Sequence, residues 1–274
     1  HIYINAFQSL DFSEMVNLWF ANKLWGIDNH ADKLLPTVLV QDNVRPEKWT
    51  AYDEWATTPR QWYLSNGQLT DKPVANQATQ TFEDQQPIDK YKAWCQSPAQ
   101  WQQALFKDNG QFSQHFVSKP VTQESLLRGT PTLTIKVAPS LDHGLLSAEL
   151  VDLGTAKRLT TSPVLINRGG LQLGYHWATD DLREFKQQKK ATSAKVISSG
   201  HINLQNRHNA AQVDDLAANQ MVTVTFELQP IFHRLAKGHR LALIVYGTDY
   251  EFTLRGNEAV KYTLDVNDAQ LTIK

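Results

Sequence analysis

Val222-Thr223-Val224-Thr225-Phe226-Glu227-Leu228 decides the fold class of this chain. Apolar and polar residues alternate through it with a period of two. Val222, Val224, Phe226 and Leu228 therefore share one face of an extended strand, and Thr223, Thr225 and Glu227 share the other. A strand of an antiparallel sheet with one face on a core and one on water has this pattern. The same alternation returns in Leu133-Thr134-Ile135-Lys136-Val137 and in Val260-Lys261-Tyr262-Thr263-Leu264-Asp265-Val266. Leu241 to Tyr246 is apolar throughout, as a central strand covered on both faces would be. Further strands are expected near 37–41, 60–64, 145–153, 195–204 and 271–273. Many strands separated by turn clusters predict a mainly β domain, a sandwich or jelly roll.

Upstream the period changes. Phe12, Met15, Val16, Trp19 and Phe20 recur at helical spacing, Asp11 and Glu14 form a D-x-x-E pair like a capping box, and Gly26 is a stop signal. A helix over 11–25 with this apolar face is unstable alone in water and must pack on the β-domain or on sequence outside the chain. The chain is accordingly divided near Leu35, into a helical segment 1–35 and a β-domain 36–274. Two helical interruptions are expected within the β-domain, at 91–106 and at 180–190. Opening on His1 rather than methionine is read as the mark of a piece cut from a longer protein or trimmed from a tag.

Composition removes several function classes. With 27 Lys and Arg against 28 Asp and Glu, the formal net charge is −1, so no general attraction to nucleic acid or to an anionic membrane surface is expected. The densest basic run, Lys186-Gln187-Gln188-Lys189-Lys190, reads as a solvated stretch. No apolar run has the length of a membrane span. A single cysteine, Cys95, excludes an internal disulfide and a Cys-pair metal site, and reads as a half-buried thiol on a short helix. That cysteine usage fits an intracellular protein, and a cytoplasmic one is expected.

Catalytic motifs are absent too. No glycine is followed two residues later by serine, so there is no G-x-S-x-G nucleophile elbow. There is no G-x-G, no Walker loop and no H-E-x-x-H. The nearest histidine pairs, His201 with His208 and His233 with His239, lack the spacing of a helix-face metal site and read as surface or loop residues. Asp180-Asp181 and Asp214-Asp215 read as solvated turns, since neighbours in sequence are not a glycosidase pair. No cofactor or metal is expected. Trp49, Trp55, Trp62, Trp94, Trp101 and Trp177 leave a carbohydrate-binding face open as an alternative to bulky core.

Two stretches resemble a known family. Phe226-Glu227-Leu228-Gln229-Pro230, continuing through His233-Arg234-Leu235-Ala236-Lys237-Gly238-His239-Arg240-Leu241 to Thr248-Asp249, is similar to the C-terminal β-domain of X-Pro dipeptidyl-peptidases and cocaine-esterase-like serine hydrolases. In it Pro230 is read as ending a strand, with a short turn before the next. Ser118-Lys119-Pro120-Val121 through Gly129-Thr130-Pro131 fits the same domain type. His1-Ile2-Tyr3-Ile4-Asn5, Gly200-His201-Ile202-Asn203 and Tyr246-Gly247-Thr248-Asp249-Tyr250-Glu251 resemble the X-prolyl dipeptidyl aminopeptidases of lactic acid bacteria.

The resemblance implies a galactose-binding-like jelly-roll β-sandwich, preceded by one helix left over from an α/β-hydrolase domain. It implies a parent with a Ser-Asp-His triad that removes Xaa-Pro dipeptides from peptide N-termini, with His1 as the triad histidine. The triad runs nucleophile, acid, histidine in α/β-hydrolases, so a chain beginning at the histidine lacks both partners and is expected to be inactive alone. The implied partners are the hydrolase and N-terminal domains of the parent, Xaa-Pro peptides, and a second copy in a homodimer. The alternatives are the β-domain of a related ester or acyl hydrolase, and a free-standing carbohydrate- or peptide-binding module.

Overall fold

The computed structural model describes residues 12–31, 39–51, 59–84, 88–160, 164–165, 183–254, 256 and 258–273. In chain order these form α1 (Phe12–Trp25), β1 (Leu39–Gln41), β2 (Trp49–Ala51), β3 (Arg60–Ser65), β4 (Gln68–Thr70), β5 (Gln80–Asp84), α2 (Ile88–Gln96) and α3 (Pro98–Lys107). There follow β6 (Ser113–Val117), β7 (Ser125–Gly129), β8 (Pro131–Pro139), β9 (Leu145–Leu159), β10 (Val164–Leu165), β11 (Arg183–Glu184) and β12 (Gln187–Asn203). The last are β13 (Val222–Glu227), β14 (Ile231–Leu235), β15 (Arg240–Tyr246) and β16 (Val260–Ile273). The protein is mainly β, as the alternating stretches imply.

Those stretches pair with one another. β13 lies antiparallel to β8, with Val222 opposite Val137, Val224 opposite Ile135 and Phe226 opposite Leu133. Directly opposed residues share a face, so the apolar sets of the two strands coincide. β16 flanks β8 on its other edge. The large sheet runs β12-β9-β15-β6-β4-β3-β16-β8-β13, with β5 also on β16, while β7 and β14 form a separate pair.

Residues 1–56 and 155–192 form one compact unit, and residues 57–154 and 193–274 form another. The second holds the core. In β15, Leu241, Leu243 and Val245 join a cluster with Phe116, Leu133, Leu150 and Tyr262. Ala242, Ile244 and Tyr246 point the other way, onto Trp101 and Leu105 of α3. The all-apolar run is therefore covered on both faces, by sheet on one and helix on the other. Each such side chain fully buried contributes roughly 1.5–3 kcal/mol.

Four local readings change. The expected helix at 91–106 is two, because Pro98 offers no N–H to continue a helix and opens α3 instead. The helix expected at 180–190 is absent in its described part: Arg183–Glu184 and the start of β12 are strand. Lys186, Lys189 and Lys190 are exposed there, so polar composition reflected a solvated strand extension rather than a helix face. The turn expected after Pro230 contains a strand, β14, paired with β7, in which Ile231, His233 and Leu235 are buried. Cys95 lies on a short helix but is exposed, not half-buried.

The strands expected at 260–266 and 271–273 are one. Between Asp265 and Gln270 the register shifts at a bulge, with Asp268 at a φ of 61°. Asp265 Oδ1 accepts the Asn267 N–H at 2.9 Å and closes it. Five steps along β16, from Asp265 to Gln270, oppose two along β8, from Lys136 to Thr134, and this odd excess moves the buried parity from even positions up to 266 to odd ones from 269, dividing one strand into two apparent patterns.

Close backbone approach requires glycine at 200. A Cβ there would sit 2.6 Å from the Glu227 carbonyl oxygen and 2.9 Å from Leu228 Cα, both main-chain atoms. Gly200→Ala is expected to cost about 1–3 kcal/mol in chemical denaturation, since overpacking must be relieved by moving backbone.

Candidate functional site

The helix-covered face of the sheet carries a polar floor. Register places Tyr246 opposite Ser147 of β9 and opposite Ser113 of β6, and Ile244 opposite Glu149 and His115. All these side chains lie on the face that α3 covers.

At its centre Gln102 of α3 donates to Glu149 Oε2 at 2.7 Å. The Tyr246 hydroxyl lies 3.3 Å from Glu149 Oε1 and 2.8 Å from Asp249 Oδ2. Asp249 Oδ1 accepts the N–H groups of Glu251 and Phe252, at 2.7 and 2.8 Å, which shapes the turn after β15. Burial is the main force raising Glu149 to about 7, with Asp249 and Glu251 adding repulsion against the hydrogen bonds from Gln102 and Tyr246. Burial, then the neighbouring carboxylates, hold Tyr246 well above its ordinary value, so it stays a donor.

Two Ser–His pairs border this centre. Ser147 Oγ donates to the Gly247 carbonyl at 2.6 Å and lies 2.9 Å from His201 Nδ1. Ser113 Oγ donates to Asp108 Oδ2 at 2.8 Å and lies 2.9 Å from His115 Nε2. In the Ser147 pair the hydroxyl proton goes to the Gly247 carbonyl, which leaves the imidazole N–H as donor to the serine. A nucleophilic serine needs the reverse polarity, with the ring accepting its proton. Both serines are also fully buried. Burial pushes His115 and His201 down, against Asp108 and the Leu105 carbonyl in the first case and Asp249 in the second.

Beside the floor lies a cleft with room of about 50 Å³, lined in part by Asp84, Trp94, Trp101, Thr248 and Tyr250. A water occupies about 30 Å³ of liquid, so this space suits one or two waters and not a sugar ring. Trp101 is buried and packs its ring 5.7 Å from Tyr246 and 5.4 Å from Tyr250, while Trp94 meets Tyr250 edge-on at 5.1 Å. These tryptophans close a core, as the bulky-core reading has it. Trp55 and Trp177 lie outside the described residues.

On the opposite face of β9, Asp152 is buried between two imidazoles. Its Oδ2 is 2.9 Å from His233 Nε2 and its Oδ1 is 2.7 Å from His239 Nδ1. Both histidines are buried. His233 lies on β14 and is neither a surface nor a loop residue, whereas His239 does lie in the loop before β15 but faces inward. His233 is brought in by β14, and its place in the Ile231/His233/Leu235 alternation was the available signal. Asp152, Glu149 and Tyr246 had no motif to betray them. Asp214 lies in an irregular loop and is half-buried rather than in a solvated turn, and it accepts from His208 at 3.0 Å. Among the described residues, no three His, Cys, Asp or Glu side chains converge as metal ligands.

His1 lies outside the described residues, as does Asp11 of the expected capping box. The helix itself is present as α1, stopped at Gly26 with a φ of 67°. Several of its apolar side chains are exposed, namely Trp19, Phe20, Leu24 at 70% and Trp25 at 80%, followed by Ile27, while Val16 and Leu18 are half-buried. No helix among the described residues is long and apolar enough to cross a membrane.

A model of the X-Pro dipeptidyl-peptidase C-terminal non-catalytic domain matches residues 29–273. Similar proteins include the Xaa-Pro dipeptidyl-peptidase of Ligilactobacillus salivarius, 43% identical over 97% of this chain and 34% of that protein. That of Pediococcus pentosaceus is 40% identical over the whole chain and 35% of that protein. The chain thus spans about a third of the length of these curated relatives. Among solved structures, an aminopeptidase from a marine-sediment Thaumarchaeota archaeon superposes with a TM-score of 0.59 at 13% identity, over 94% of this chain and 43% of that one. An alpha-amino acid ester hydrolase superposes with a TM-score of 0.57 at 17% identity, over the same shares. These two likenesses concern fold alone.

Proposed function

Because the chain belongs to the family of X-Pro dipeptidyl-peptidase C-terminal non-catalytic domains, we propose that it is the structural C-terminal portion of an enzyme that releases Xaa-Pro dipeptides from peptide N-termini. The observation that carries this reading is similarity along essentially the whole chain to peptidases of about three times its length. The buried Ser147–His201 pair agrees with it, since the hydroxyl proton is committed to the Gly247 carbonyl.

In this reading the division near residue 35 separates the end of an α/β-hydrolase domain from a jelly-roll β-domain, and the family match beginning at residue 29 supports it. The exposed apolar side chains of α1 then face the hydrolase domain. The parent is a cytoplasmic, homodimeric serine peptidase, and His1 is its triad histidine. It takes the serine proton during acylation and returns it to the leaving amine. The β-domain shapes access to that site or supports assembly.

The test is hydrolysis of Gly-Pro and Ala-Pro chromogenic substrates. The chain alone is expected to give no turnover, and the full-length protein is expected to cleave both. Turnover by the chain alone that depends on His1 would overturn the assignment of a missing nucleophile. An inactive full-length protein would sink the peptidase reading.

A further inference from the structure

The Glu149–Tyr246–Asp249 cluster has a proton count that its geometry makes explicit. Tyr246 has one hydroxyl proton and faces two carboxyl groups, Asp249 Oδ2 at 2.8 Å and Glu149 Oε1 at 3.3 Å. The proton belongs on the nearer contact. A hydrogen bond across the longer one then needs a proton on Glu149, whose Oε1–H donates to the tyrosine oxygen. Glu149 Oε2 remains free to accept from Gln102. In that state the chain Gln102 to Glu149 to Tyr246 to Asp249 is satisfied at every link, and it joins α3, β9, β15 and the turn after β15.

We propose that these residues form a proton-dependent latch. With Glu149 protonated, the relay holds α3 and the turn at 249–254 on the end of β15. When Glu149 gives its proton to water, Tyr246 can serve only one of two carboxylates, which then repel, and the latch loosens.

The surroundings favour this response. Glu251 of the same turn adds to the repulsion on Glu149. Glu83 and Asp84 of β5 line the adjoining cleft, so negative charge faces the cluster from that side as well. His201 of β12 also faces Asp249, whose charge favours its protonated form, but burial outweighs this and holds it below its ordinary value. The turn also carries two exposed apolar side chains, Phe252 at 64% and Leu254 at 94%, so a change in its order alters an apolar patch of the surface. Trp101 and Trp94, packed on Tyr246 and Tyr250, report the same event.

The test is amide hydrogen exchange of α3 and of residues 249–254 in the whole chain, as protection factors corrected for intrinsic exchange, between about pH 5.5 and about pH 8.5. Tryptophan fluorescence is followed in parallel. Protection of both segments is expected to fall roughly tenfold as pH rises through neutrality, in step with the fluorescence. Glu149→Gln, which keeps a donor towards Tyr246, is expected to be flat across the range. Tyr246→Phe, which removes the relay, is expected to give low protection of the turn without a pH step. Wild-type protection that ignores pH, or an undiminished step in either variant, overturns the latch. If Glu149→Gln does not fold, the wild-type series with Tyr246→Phe decides.

Discussion

Asp152→Ala is expected to destabilise the chain by about 2–6 kcal/mol, the cost of leaving two buried N–H donors without their acceptor. Asp152 is fully buried, and its two oxygens serve two histidines that are themselves buried. The substitution removes the acceptor that both rings share and leaves two polar N–H groups to be desolvated for nothing, at roughly 1–3 kcal/mol each. The rings cannot turn away freely, because His239 packs against Gly154, where an added Cβ would lie 2.3 Å from the ring. Urea denaturation at neutral pH reads the loss directly. Asp152→Asn, with one acceptor oxygen in place of two, should fall between wild type and alanine. A loss below about 1 kcal/mol for the alanine variant would mean that the cluster contributes no more than an ordinary hydrogen bond.

The second large effect is on pH dependence. Folding raises Glu149 from 4.5 to about 7, so between these values the native chain holds a proton that the unfolded chain has lost. Stability contributed by this residue is therefore complete below the unfolded value, declines as pH rises through this window, and stays lost above it. The full span is about 3 kcal/mol, at 1.36 kcal/mol for each pH unit of displacement. His115 and His201 are lowered by burial and act in the opposite sense, since stability they remove at low pH returns as pH rises towards 6.5. The diagnostic quantity is thus the difference between wild type and Glu149→Gln across the pH range. That difference should grow from about pH 4.5 to about pH 7 and then level off. A constant difference would place Glu149 in an ordinary solvated setting.

Much of the β-domain was legible because burial on one face of a sheet leaves a period-two record in the chain itself. The β8 and β13 stretches could be read separately, and their apolar residues turn out to face each other. Legibility failed where another constraint broke the period. The bulge at Asp268 shifted the parity of β16, and Pro98 divided one helix into two. The solvated start of β12 had no buried face to leave a pattern. β14 carries no clear period because His233 occupies one of its buried positions, and a histidine there looks polar until its partner is known.

The candidate site shows the same limit more sharply. Glu149 and Asp152 lie three residues apart on β9, yet point to opposite faces and enter unrelated clusters. Asp152 meets histidines 81 and 87 residues away, and Glu149 meets a tyrosine 97 residues away. No local spacing encodes such meetings. By itself the sequence determined the strands that alternate most clearly, β8, β13 and the start of β16, with the doubly covered apolar run at 241–246, the opening helix and the family, since each is written in a local period or in a continuous resemblance. Only the tertiary structure decided which polar groups are buried together and which of them share a proton. Those properties depend on strand register, and register brings into hydrogen-bonding distance residues that the chain keeps far apart.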